Sequence, residues 1–181
     1  MMQRMLKPFP AGVLALLIAI ALTGCDTCKP GKPGPVSKYN LEVKLDESLK
    51  SSSVIVDLVG VNVSNLPRWE AYDMGNYWKQ NDPMRRDADK VVMNFVSGQS
   101  LSNSLPVTDP KWEQWKARGV THVLVLADLP SAQLTSKAGN QDARRQILPL
   151  DKCSWPSGTK TLSVLVQRSG IVAITPTRFA K

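Results

Sequence analysis

Apolar and polar residues alternate along Tyr39–Leu45 (YNLEVKL), the period-two signature of a strand with one wet face. Val54–Val61 (VIVDLVGV) is instead nearly continuous and β-branched, which predicts a central strand. Strand-like runs follow at Lys90–Val96, Val120–Leu129, Ala143–Leu150, Thr161–Arg168 and Gly170–Thr175, making about seven. Ser169-Gly170 marks a tight turn between the last two. Helical signals are shorter. In Trp69–Lys79 the large residues Trp69, Tyr72, Tyr77 and Trp78 sit at helix-compatible spacing, interrupted by Gly75, which predicts a short helix or two turns. Asp109–Ala117 has an N-capping aspartate, proline at the first helical position and Gly119 just beyond its end, with Trp112 and Trp115 on one face. Strands outnumber helices. The pattern predicts a mainly β fold: a two-sheet antiparallel β-sandwich with one or two short helical inserts.

Ahead of this lies a different pattern. Arg4 and Lys7 precede Ala11–Leu22, an unbroken apolar run whose helical length would be about 18 Å, short of the roughly 30 Å core of a bilayer. That is the n-region and h-region of an export signal. Leu22-Thr23-Gly24-Cys25 follows directly and is similar to a bacterial lipobox, so residues 1–24 are expected to be removed and Cys25 to carry a diacylglycerol. Two or more acyl chains anchor a protein stably. The favoured address is the outer membrane, periplasmic side. Asp26 keeps the inner membrane open, because aspartate after the modified cysteine resembles an enterobacterial retention signal. Residues 25–37, rich in proline and glycine and without apolar periodicity, read as a tether with a reach of at most about 40 Å. The sandwich domain is expected over 38–181.

Composition narrows the class. With 43% apolar and 21% charged residues the full sequence is that of a globular protein, and the exported part is of single-domain size. Three cysteines and one histidine are too few for a zinc framework. Cys28 and Cys153 are a candidate disulfide in an oxidising compartment, the alternative being two unpaired thiols. Nucleic acid is excluded by the compartment and not by the net charge of +8.

Candidate chemistry is sparse, and no cofactor or enzymatic activity is expected. Ser97-Gly98-Gln99-Ser100 is a loop and not a nucleophile elbow. His122, alone in its strand, has no sequence-visible triad. Asp57, Asp128 and Asp151 are the carboxylates that a glycosidase-like pair would draw on, but strand-end aspartates more often cap turns and a mid-strand one faces solvent. The five tryptophans, Trp69, Trp78, Trp112, Trp115 and Trp155, read as core that packs short helices onto the sheets, with a sugar platform as the alternative. Arg85-Arg86 and Arg144-Arg145 read as a solvated charged face.

The order of these features resembles the outer-membrane lipoprotein of the type VI secretion apparatus, the TssJ family: an exported lipobox chain, an early alternating strand, the β-branched strand Val54–Val61, a helical insert and a late strand series. The resemblance spans Lys38–Thr175 and implies a transthyretin-like sandwich. It also implies a non-enzymatic role, docking an inner-membrane-anchored secretion component and fixing the assembly to the outer membrane. In that family the loop between the first two strands contacts the partner. Here that is Asp46–Ser53 (DESLKSSS), with Asp46, Glu47 and Lys50 as candidate contacts. The family's valine-rich second strand running into an arginine and an aromatic is replaced by Val54–Val59 (VIVDLV), and the Cys28/Cys153 pair is not one of its features. The alternative function is a lipoprotein module that binds peptidoglycan or carbohydrate.

Overall fold

The alternating run and the continuous run end up in different sheets of the computed structural model, which describes residues 28–29, 32–130 and 142–178. The strands are β1 (Asn40–Leu45), β2 (Val54–Val61), β3 (Lys90–Phe95), β4 (Ser102–Leu105), β5 (His122–Ala127), β6 (Arg145–Pro149), β7 (Thr161–Gln167) and β8 (Gly170–Ala173). One sheet has the order β4-β1-β7-β8 and the other β3-β2-β5-β6. The fold is the expected mainly β, two-sheet arrangement. All pairings are antiparallel except β1 with β7, which run parallel from Asn40↔Thr161 to Leu45↔Val166. The chain leaves β1 for β2 and β3 of the other sheet, returns for β4, crosses again for β5 and β6, and starts β7 from the end where β1 began.

Leu41, Val43 and Leu45 of β1, with Leu162, Val164 and Val166 of β7, face Val56 and Leu58 of β2 and Val123 and Val125 of β5 across the sandwich. The other face of β2 is covered too. Three short helices, α1 (Leu66–Ala71), α2 (Met74–Tyr77) and α3 (Pro83–Asp87), lie between β2 and β3 in sequence. Their Trp69, Met74, Tyr77 and Met84 form a second core with Val59, Val61, Leu124 and Leu126. This is why β2 reads as unbroken apolar sequence: both of its faces are dry.

The expected helix over 69–79 is resolved into α1 and α2, with the break at Tyr72–Asp73 and not at Gly75. The Asp73 carboxylate accepts from the Asn76 amide and starts a new helix there. Strand β4 and helix α3 are absent from the sequence expectation. β4 is a four-residue edge strand in which only Leu105 points inward. Helix α4 (Lys111–Ala117) starts one residue later than expected, with Asp109 accepting from the Lys111 amide. It closes the sandwich with Trp112 and Trp115. Trp115 lies so near β2 that a Cβ on Gly60 would stand 2.5 Å from its Nε1, so only glycine fits there.

The strands line up so that the sandwich has two distinct ends. Asn40, Val61, His122, Pro149 and Thr161 lie at one, and Leu45, Val54, Ala127 and Gln167 at the other.

Candidate docking and anchoring ends

Asp46–Ser53, the loop after β1, is a built element and not a slack polar link. Glu47–Leu49 form a 3-10 turn capped by the Asp46 carboxylate, which accepts from the Ser48 amide at 3.0 Å. Hydrogen bonds from Ser48 hold the Asp46 carboxyl below its ordinary value. Leu49 is buried in the main core and pins the turn from beneath. Arg168, from the turn between β7 and β8, donates Nε and Nη2 to the Ser48 carbonyl at 3.0 and 2.6 Å. The Gly98 amide donates to the Lys50 carbonyl at 2.9 Å. Glu47 and Lys50 are left displayed, 3.8 Å apart, with side chains 78% and 64% exposed. Of the three candidate contacts, Asp46 is thus committed to capping while Glu47 and Lys50 face outward.

The opposite end is organised around a disulfide between Cys28 and Cys153, with Cα atoms 5.1 Å apart and a sequence separation of 125. The described part of the proline- and glycine-rich segment lies along the domain. Val36 bridges to Asp151, the Ser37 amide donates to the Leu150 carbonyl at 2.8 Å, and the Lys152 amide donates to the Pro35 carbonyl at 3.0 Å. Asp151 organises the junction, its Oδ1 accepting from the amides of Gly34, Cys153 and Ser154 and its Oδ2 from the Ser154 hydroxyl. Gly34 passes so close that a Cβ on it would lie 2.5 Å from the Cys153 Sγ. Cys25 and Asp26 lie outside the described residues. Among those residues, no helix is long and apolar enough to cross a membrane.

The remaining candidates are structural in their surroundings. Asp57 does not face solvent. It is fully buried on the helix-covered face of β2, where its Oδ2 accepts from the Tyr77 hydroxyl and the Arg85 Nε, each at 2.9 Å. The continuous strand is helix-covered on that side, which is what buries the carboxylate. Burial and the adjoining Asp57 push the Tyr77 hydroxyl well up. Arg145 also departs from the expected solvated face. It is buried, with Nη1 donating to the Trp69 and Tyr72 carbonyls and Nη2 to that of Glu70, so it fastens the end of α1. Of the paired arginines, only Arg86 is well exposed, beside Asp87. His122 is half-buried with Nδ1 2.9 Å from the Thr121 hydroxyl, and burial lowers its pKa. Trp69, Trp112, Trp115 and Trp155 are all buried, and Trp78 lies under the Arg85 guanidinium at 4.4 Å. Among the described residues, no group of three or more His, Cys, Asp or Glu is placed to hold a metal ion.

The chain is similar in structure to type VI secretion lipoproteins. One is Lip of Serratia marcescens, a membrane-bound component of that system, at 16% identity over 78% of this chain and 98% of that one, with a TM-score of 0.46. Another is TssJ1 of Pseudomonas aeruginosa, at 12% identity over 81% of this chain and 100% of that one, with a TM-score of 0.44. A chain of a type VI membrane complex matches at 14% identity over 77% of this chain and 99% of that one, with a TM-score of 0.46. No family model and no curated protein matches the sequence.

Sequence reasoning missed Arg168 and Gly34, which shape the two ends. Arg168 is an ordinary turn arginine in the sequence, and its target is 120 residues away. Gly34 does sit in a conspicuous Gly/Pro run, but composition alone does not say what it packs against.

Proposed function

We propose that this chain is a lipid-anchored periplasmic scaffold protein that docks an envelope-spanning complex, of the type VI secretion kind, to the membrane. One observation carries the reading: the anchoring end and the displayed loop are opposite poles of the sandwich. In this reading Cys25 bears the acyl chains, three residues before the stapled Cys28. Glu47 and Lys50 stand at the far end of β1, a six-residue strand about 20 Å long. An adaptor with lipid at one pole and a rigid, charged turn at the other transmits position between a bilayer and a partner. The partner would be an inner-membrane secretion component reaching into the periplasm. The outer membrane is the proposed address, and Asp26 makes the inner membrane the competing one. The burial of four of the five tryptophans weighs against the platform on which the carbohydrate-binding alternative depends.

Capture of the full-length lipoprotein from gently crosslinked envelopes tests this, with Cys25→Ser as the anchoring control. A large inner-membrane protein with a periplasmic domain should be recovered with the wild type. It should be lost with Glu47→Ala/Lys50→Ala while the circular dichroism stays unchanged. Undiminished recovery from that variant would count against the loop, and recovery of peptidoglycan fragments alone would count against the scaffold.

A further inference from the structure

The anchoring end carries a concentration of unpaired positive charge. Lys29, Lys32, Lys152 and Lys160 are exposed, and none of them makes a side-chain ion pair or hydrogen bond with a described residue. Lys29 and Lys32 line a hollow of about 380 Å³ together with His122 and Cys153. Lys152 is next to Cys153 and shares a second hollow, of about 360 Å³, with Lys160. Asp151, the carboxylate in the first hollow, is occupied by three amides and a hydroxyl of its own junction.

The geometry of the tether then matters. A free segment from Cys25 to Ser37 would let the domain wander about 40 Å from its lipid. With Cys28 bonded to Cys153, Cys25 lies only three positions from the folded domain, a span of about 10 Å. That is close to the Debye length of about 8 Å at physiological ionic strength, the range over which an exposed lysine still feels a charged surface.

We infer that the Cys28–Cys153 staple seats the lysine-bearing end, Lys29, Lys32, Lys152 and Lys160, directly on anionic phospholipid headgroups and so holds the sandwich end-on to the membrane. This rests on the lipid-anchored reading above. Charge complementarity and the three-residue leash both select the bilayer as the occupant. The staple supplies orientation, which an acyl anchor on a long leash does not, and it points Glu47 and Lys50 away from the lipid.

The test uses the full-length lipoprotein, its acylation confirmed by intact mass, in phosphatidylcholine vesicles with and without phosphatidylglycerol. A dye is placed near the lysines (Ser157→Cys) or at the opposite pole (Gln99→Cys), and energy transfer to a headgroup-labelled lipid is read. Transfer from the Ser157 position should be several-fold greater than from the Gln99 position and should rise further with phosphatidylglycerol. Lys29→Glu/Lys32→Glu/Lys152→Glu should abolish that rise, and Cys28→Ser/Cys153→Ser should bring the two positions together. Equal transfer from both positions in the stapled protein overturns the inference. So does a phosphatidylglycerol response that survives charge reversal. An intact mass that shows Cys25 without acyl chains in the protein purified from cells overturns the anchored reading itself, and this inference with it.

Discussion

The two sheets differ in what lies on their outer faces. The β3-β2-β5-β6 sheet is roofed by α1, α2 and α3, whereas the outer face of β4-β1-β7-β8 carries Glu42, Lys44, Ser163 and Val172 toward solvent. The roofed sheet has accepted a charge into its interior. Asp57 is tied to Tyr77 and Arg85 beneath the helices, while its counterpart on the open sheet, Glu42, makes a surface pair with Lys44 at 3.1 Å and accepts from the Ser163 hydroxyl. The same kind of group thus does two different things. On the wet face a carboxylate is interchangeable, and under the roof it is a tie that decides whether the helices stay down.

The largest expected effect breaks this contrast directly. Asp57→Ala should cost about 3–5 kcal/mol, because it strands Arg85 against the buried face, whereas Glu42→Ala should stay within about 0.5 kcal/mol. Urea midpoints of the two variants check it, and similar losses from both would erase the distinction. A smaller loss, about 1–3 kcal/mol, is expected from Arg145→Met, which leaves three carbonyls at the end of α1 without their donor. Near-ultraviolet dichroism should change as Trp69 loosens while the sheet signal stays. An unchanged near-ultraviolet spectrum would show that Arg145 does not hold the roof.

The smallest effect is a pH dependence at His122, on the same sheet. Burial lowers its pKa below the ordinary 6.5, with Asp151 and Glu70 opposing. The folded state therefore binds fewer protons than the unfolded one just below that value. The contribution to stability is complete above pH 6.5 and is lost as pH falls through the folded pKa. Between pH 7.5 and 5, the wild type should lose more stability than His122→Asn, as read from urea midpoints at both ends of the range. Equal losses would remove His122 from the account.

What the sequence made legible follows from the range over which each signal acts. The alternation of Tyr39–Leu45 and the unbroken run Val54–Val61 are local, and each carries its own burial pattern: one wet face for β1, none for β2. The roof itself was half visible as aromatic spacing in Trp69–Lys79. What was not legible is tertiary pairing. Asp57 meets partners 20 and 28 residues downstream, Arg145 meets carbonyls more than 70 residues upstream, and either looks solvated in isolation. Edge strand β4 is short and polar, with no pattern to find. At the poles, the displayed loop was marked by the family resemblance and its polar sequence, but the 3-10 turn and Arg168 that stiffen it were not.

The staple also decides how this molecule would bear a pull. With Cys25 acylated as proposed, tension between the lipid and Glu47 would, without the bond, run along a single length of chain, from Val36 through β1 to Asp46. With Cys28 joined to Cys153, the load divides before it reaches β1. Part continues through Val36, and part crosses to Cys153 and enters β7, which lies parallel to β1 in matched register from Asn40↔Thr161 to Leu45↔Val166. The hydrogen bonds between these two strands lie across the direction of pull, so they are loaded together in shear and do not open one after another. A tether that attaches to the fold by one thread in sequence attaches mechanically by two.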